Sequence, residues 1–162
     1  MLADSDADGS DHARILSHLP YLDDSDWAVR ERALSILYEL EPTLVAQHAD
    51  AVVGRLEDSD AKVRTWALLM LGRLEPEALA QHANAIVARL EDSDWRVCRA
   101  ALDTLGKLEP ATLAQHIDAV IARLEDSNWQ VRTADLETLG KLEPTTLARH
   151  AEAAVAMLEE TD

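Results

Sequence analysis

The chain has 162 residues, of which 31 are acidic and 15 basic, with one cysteine and a formal net charge of −16. Its hydrophobic content of 48% excludes a disordered acidic chain, and its charge argues against nucleic-acid and anionic-membrane partners, which select for lysine and arginine. The lone cysteine excludes an intrachain disulfide, and neither a membrane-length apolar run nor a signal-peptide pattern is present, so we expect a single-domain cytoplasmic protein.

Residues 1–11 are predicted to be a flexible acidic tail, and residues 12–23 a degenerate capping helix limited by Pro20. The stretch from Asp4 to Gly9 matches the opening of a calcium loop, in which alternating carboxylates converge around a glycine. The twelfth position of such a loop is a bidentate glutamate, but here it is Ile15. We therefore favour a solvated tail and keep calcium binding as the alternative.

An internal repeat organises the rest of the chain. The string L-[DE]-D-S-[DN] begins at Leu22, Leu56, Leu90 and Leu124, always 34 residues apart. A fixed period of this length is the signature of a repeat architecture. We divide the single domain 12–162 into the cap and four units, at 24–57, 58–91, 92–125 and 126–159.

Each unit is predicted to be a helix–turn–helix. The first helix follows Asp-Ser-Asp, whose side chains can cap it, and in unit 1 an apolar stripe runs from Val29 to Leu40 at helical spacing. Glu-Pro then ends that helix, and the proline is well placed to start the second one. Two amphipathic helices cannot bury both apolar faces alone, so we expect the units to stack into an all-α solenoid.

The pattern D-S-D-W-x-V-R-x-x-A-L-x-x-L-G-x-L resembles HEAT and HEAT-like repeats over nearly the whole chain. This resemblance implies a right-handed α-solenoid of four HEAT-like repeats. It also implies a hydrogen-bond ladder between neighbouring units, formed by an Asp in the turn and an Arg six residues later. The matching pairs are Asp24/Arg30, Asp58/Arg64 and Asp126/Arg132, whereas unit 3 keeps Asp92 but carries Cys98 in place of the arginine. We expect the missing arginine to leave a ladder carboxylate unpaired.

Two residue types recur once per unit or nearly so. The histidines could form a metal-binding or proton-responsive strip, but repeated helices are too far apart for them to chelate one ion easily, and we favour a structural role. The tryptophans could form a binding ridge, although packing between units is the preferred interpretation. The two columns are His48, His82, His116 and His150, and Trp27, Trp95 and Trp129.

Residues that differ from their equivalents in the other units are more informative about function than the repeated residues are. In unit 2, Trp66, Leu69, Met70 and Arg73 lie at i, i+3, i+4 and i+7 on the predicted outer side of the first helix. We predict that they form an exposed apolar patch that contacts a partner or a second copy in a homodimer. In unit 4, Asp135 replaces an inward-facing alanine, where an unpaired charge would be costly.

No catalytic motif is present, and we expect neither enzymatic activity nor a cofactor or metal. The primary hypothesis is a scaffold that binds a protein or peptide, basic or helical, through a weakly acidic concave groove. Arg55, Arg89 and Arg123 are expected along one edge of this groove. Its predicted polar residues are Gln47, Asp50, Gln81, Asn84, Gln115 and Asp118. The alternatives are an enzyme resembling HEAT-like bilin lyases and an engineered or consensus-like array without a natural partner.

Overall fold

The computed structural model describes the backbone of residues 5–159 and the side chains of residues 9–151. Within that backbone every regular element is helical. The chain opens with α1, Ser5–His18, followed by a 3₁₀ helix, Leu19–Asp23. The helix therefore starts at Ser5, earlier than the predicted cap at His12, and residues from Ser5 onward are not an irregular tail. Acidic residues are compatible with a helix start, because they interact favourably with its positive end.

The first helices of the units begin at 34-residue intervals, as the repeat predicts. They are α2 (Trp27–Tyr38), α5 (Ala61–Leu71), α8 (Trp95–Leu105) and α11 (Trp129–Leu139). In each case, the side chain of the residue just before the helix accepts a hydrogen bond from the amide of the second helical residue. Asp26 accepts from the Ala28 amide at 2.9 Å, and Asn128 accepts likewise from Gln130. The D-S-[DN] turn is thus the local signal that fixes where each first helix starts.

The second half of units 1–3 is broken, which the apolar spacing does not predict. Unit 1 has α3 (Pro42–Ala46), α4 (Ala49–Val53) and a 3₁₀ turn; unit 2 has α6 (Pro76–Ala80), α7 (Ala83–Val87) and a 3₁₀ turn. Unit 3 has α9 (Pro110–Leu113) and α10 (Ile117–Ile121), each followed by a 3₁₀ turn, whereas unit 4 has one helix, α12 (Pro144–Glu159). We call the part of each unit from its proline onward the second segment.

The core is built between units. Leu34, Leu68 and Leu102, at equivalent positions of α2, α5 and α8, are each 0% exposed, because the next unit's first helix covers them. The hydroxyl of Thr104 donates to the Leu68 carbonyl at 3.1 Å, and Thr138 donates likewise to Leu102. The two middle first helices, α5 and α8, therefore each have one side on the preceding unit and one on the following unit.

Asp135 lies in this core, where α11 faces inward. Its side chain is 0% exposed, and neither carboxylate oxygen has a hydrogen-bond partner. Burial raises the pKa of Asp135 to about 7, while the positive charge of Arg123 acts in the opposite direction. Asp135 thus lies in the buried, unpaired environment that the sequence predicts, and the charge of Arg123 partly offsets the effect of burial on its pKa.

We predict that Asp135→Ala stabilises the protein in a pH-dependent way. Because the folded-state pKa is raised, the wild-type carboxyl destabilises the fold progressively as the pH rises from about 4 to about 7. The alanine variant should unfold with a free energy about 2–4 kcal/mol higher at pH 8 and almost unchanged at pH 4. Urea unfolding of both proteins across this range measures the difference, and a gain that is constant with pH would contradict the assignment.

Candidate functional site

Six polar side chains form a row along the second segments of units 1–3, and all six are exposed. We call them the polar row: Gln47, Asp50, Gln81, Asn84, Gln115 and Asp118. Five of them make no side-chain hydrogen bond within the described part of the chain. Asp118 lies 3.3 Å from Nδ1 of His150 in the next unit. The row is therefore largely unused by the fold.

Two depressions flank the polar row. One of about 200 Å³ lies between units 1 and 2, and its lining includes the small residues Gly54, Ala85 and Ala88 together with Glu57 and Arg89. A larger one of about 460 Å³ lies between units 3 and 4, next to Gln115 and His150. These depressions give side chains of a bound segment places to enter beside the polar groups.

The arginines predicted at the groove edge are structural. Arg89 donates through one terminal nitrogen to the Leu56 carbonyl at 2.8 Å, and Arg123 donates to Leu90 at 3.0 Å. Arg55 donates in the same way to Leu22 and also pairs with Asp23 at 2.9 Å. Each arginine therefore closes the turn that precedes its own unit. Recurrence at the same place in each unit was the available signal, since such a residue usually serves the unit.

The Asp–Arg ladder joins neighbouring units through pairs that are 28 residues apart. Arg30 donates to both carboxylate oxygens of Asp58 at 2.7 Å, and Arg64 pairs with Asp92 in the same forked manner. Within its own unit Arg30 bonds the Asp24 carbonyl rather than its carboxylate. Burial is the largest single influence on the pKa of Asp58 and raises it. The hydrogen bonds from Arg30 and from the Asp60 amide, together with the charges of Arg30 and Arg55, outweigh burial, so the net pKa is lowered.

The ladder has one broken rung, between units 3 and 4. Cys98 donates its thiol to the Asp92 carbonyl at 3.1 Å but cannot reach across to Asp126, which occupies the position of Asp58 and Asp92. The carboxylate that lacks an arginine is thus Asp126, whereas Asp92 is paired with Arg64. Burial, followed by the nearby charges of Asp92 and Asp126, raises the pKa of Cys98, so the thiol is not activated.

The predicted exposed patch in unit 2 is wrong for three of its four members. Met70 is only 1% exposed, and Trp66 is half-buried, with its indole nitrogen 3.2 Å from Glu31 and its ring edge-on to Tyr38. Arg73 donates to the carbonyls of Tyr38 and Leu40. Only Leu69 is exposed. The helix is covered by unit 1 on this side, which removes the surface on which the predicted homodimer contact depended.

The tryptophans of the column differ from one another in exposure, whereas three of the four repeated histidines occupy equivalent places in the fold. Trp95 is half-buried and packs against the core, whereas Trp27 and Trp129 are exposed. The next unit contacts the Trp27 ring through Lys62, whose Nζ lies 4.7 Å from the ring centre, so Trp27 packs between units in part. His48, His82 and His116 each immediately precede a short helix of the second segment.

The remaining sequence-based candidates concern ions and membranes. In the predicted calcium stretch, Asp4 and the side chains of residues 5–8 lie outside the described residues. Among the side chains that are described, no group of three or more His, Cys, Asp or Glu could hold a metal ion. None of the helices between residues 5 and 159 is both long and apolar enough for a membrane span.

Comparisons with known proteins agree on the repeat type. A family model described as "HEAT repeats" matches residues 83–162, and one described as "HEAT repeat associated with sister chromatid cohesion" matches residues 32–68. Among curated proteins, none matches the sequence significantly.

Similar solved structures include engineered proteins. One, titled only as an engineered protein, is 14% identical with a TM-score of 0.68 over 86% of this chain and 68% of its own. A designed armadillo repeat protein in complex with the peptide (KR)4 is 15% identical with a TM-score of 0.66, over 88% of this chain and 72% of its own. At these identities the likeness shows the fold, which is that of an α-solenoid.

We predict that Cys98→Arg repairs the broken rung and stabilises the protein by about 1–3 kcal/mol, since a forked arginine would pair with Asp126. Urea unfolding measures the gain, with Cys98→Ser as the control for loss of the thiol alone. Equal midpoints for the arginine and serine variants would contradict the proposed geometry of the joint.

Proposed function

We propose that this chain, which belongs to the HEAT-like repeat proteins, is a non-enzymatic scaffold that binds an extended basic peptide along its second segments. The observation that supports this most directly is the polar row. It recurs with the repeat and is exposed, yet the fold uses almost none of it. The arginines, threonines and first-helix caps, which also recur, are by contrast engaged in contacts within and between units.

Charge supports a basic ligand. The net charge of the chain is −16, and Asp50 and Asp118 contribute carboxylates to the polar row. Acidic residues at both ends of each second segment are also exposed: Glu41, Glu57, Glu75, Glu91, Glu109 and Glu125. This distribution creates a negative potential over the second segments, which attracts a cationic ligand and repels an anionic one.

Spacing supports an extended conformation of the ligand. Packed helices lie about 8–10 Å apart, and an extended peptide rises about 3.3 Å per residue, so one unit corresponds to two or three ligand residues. A peptide with basic residues at that interval could present one cation to each unit. The designed armadillo protein with a similar fold is bound to a (KR)4 peptide, which is a ligand of this type.

The test is titration of a fluorescent (KR)4 peptide, with a (DE)4 peptide as the charge control. We expect the double variant Asp50→Asn/Asp118→Asn to weaken (KR)4 binding at least fivefold. The matched control, Asp103→Asn/Glu137→Gln, removes the same net charge from exposed positions on the first helices and should have little effect. Equal loss in both double variants would reduce the interaction to net charge, and absence of (KR)4 binding would refute the proposal.

The two alternatives, an engineered or consensus-like array and a bilin-lyase-like enzyme, stay predictions. The engineered character of similar structures favours a consensus-like array. Against deliberate design, Cys98 interrupts the ladder and Asp135 places an unpaired carboxyl in the core. A bilin-lyase-like activity is tested by mixing the protein with a bilin, and an unchanged absorbance spectrum would eliminate it.

A further inference from the structure

The N-terminal segment has the form of half a unit. The Leu22 carbonyl accepts from Arg55 as the Leu56 carbonyl accepts from Arg89, which places α1 and its 3₁₀ turn at the position of a second segment. They pack against α2 as the later second segments pack against the first helix that follows them. Within the described residues, no first helix accompanies this half unit on the adjoining side of α2.

A groove of about 360 Å³ lies on that side of α2. Its lining consists of His18, Tyr21, Ala28, Val29, Arg32, Ala33 and Ile36. In the later units, the positions equivalent to Val29 are fully buried by the first helix of the preceding unit, and so are those equivalent to Ile36. Val29 and Ile36 themselves are only half-buried. The groove therefore has the location and the lining of a seat for a first helix.

The carboxylate of Asp24 lies at the edge of the groove and indicates that a molecule bound there needs a positive charge. Asp24 accepts from the Asp26 amide at 2.8 Å, and Asp58 and Asp92 make the same turn. Those two carboxylates are also bound by the forked guanidinium of the preceding unit. Among the side chains of residues 9–151, no guanidinium contacts Asp24 in this way.

We propose that this groove binds one amphipathic helix of a partner protein, with an arginine that pairs with Asp24 and, four residues later, a leucine that packs on Ile36. Arg30 with Leu34, and Arg64 with Leu68, provide this arrangement inside the molecule. A glutamate directly after the arginine would face Arg32, as Glu31 faces Trp66 in the next unit. The ligand is helical and bound at the end of the array, unlike the extended peptide proposed above.

The probe is a fluorescent, helix-stapled peptide with the sequence of residues 26–40, because α2 is the helix that fills the equivalent seat on α5. We expect saturable binding to the full chain. Arg30→Ala in the peptide, or Asp24→Asn in the protein, should each weaken it about tenfold, and combining them should add little. Arg32→Ala in the peptide is the matched control, with the same charge change on the opposite side of the helix. Ile36→Asp in the protein should abolish binding while circular dichroism confirms the fold.

Two results would overturn the proposal. The first is a failure of the peptide test: either the peptide does not bind, or the Arg30→Ala and Arg32→Ala peptides lose equal affinity. The other is self-occupancy, since α11 carries Arg132 and, four residues later, Leu136, which is 61% exposed. Light scattering across a concentration series tests it: a rising molar mass that Leu136→Asp suppresses would make a second copy the occupant. A constant monomer mass together with arginine-dependent peptide binding would support a partner helix.

Discussion

Every unit in this chain is completed by its neighbour. A carboxylate in the turn accepts the forked guanidinium of the preceding unit, and an arginine of the second segment donates back to the carbonyl of the turn before it. In the intact ladder pairs, both charged groups are partly removed from water where a partner of fixed geometry meets them, as at Arg30 and Asp58. Such forked pairs are directional, so they set the rotation of one unit on the next as well as holding it.

This arrangement separates the residues that build the array from those that remain available. The first helices pack against their neighbours in the array. Their recurrent polar side chains either donate to backbone carbonyls or cap the start of a helix. The second segments present the polar row on a surface that stacking leaves open. A binding function placed there can change its residues without disturbing the joints between units. The polar row, although it recurs with the repeat, is therefore separate from the residues that hold the units together.

The sequence was sufficient for the elements that depend on local chemistry and period. The D-S-[DN] turns, the first-helix starts and the solenoid class all follow from capping residues and the 34-residue spacing. The break before Ala49 was not predictable from spacing, because Val45, Ala49 and Val52 stay in apolar register across it. Met70 was misplaced because one inward stripe was assumed, whereas α5 is covered by units on both sides. The partner of Arg30 is in another unit, which no local pattern specifies.

The broken rung at Cys98 affects how the molecule unfolds. In a linear array, cooperativity is transmitted only through the joints between neighbours. The third joint lacks its forked ion pair and adjoins the buried carboxyl of Asp135, so the last unit is coupled to the rest more weakly than units 1–3 are to one another. We therefore expect unfolding to begin as a local opening at this end and not as a single all-or-none transition. A probe in α11 would report a lower transition than one in α2, and native-state hydrogen exchange would divide the chain at the same joint.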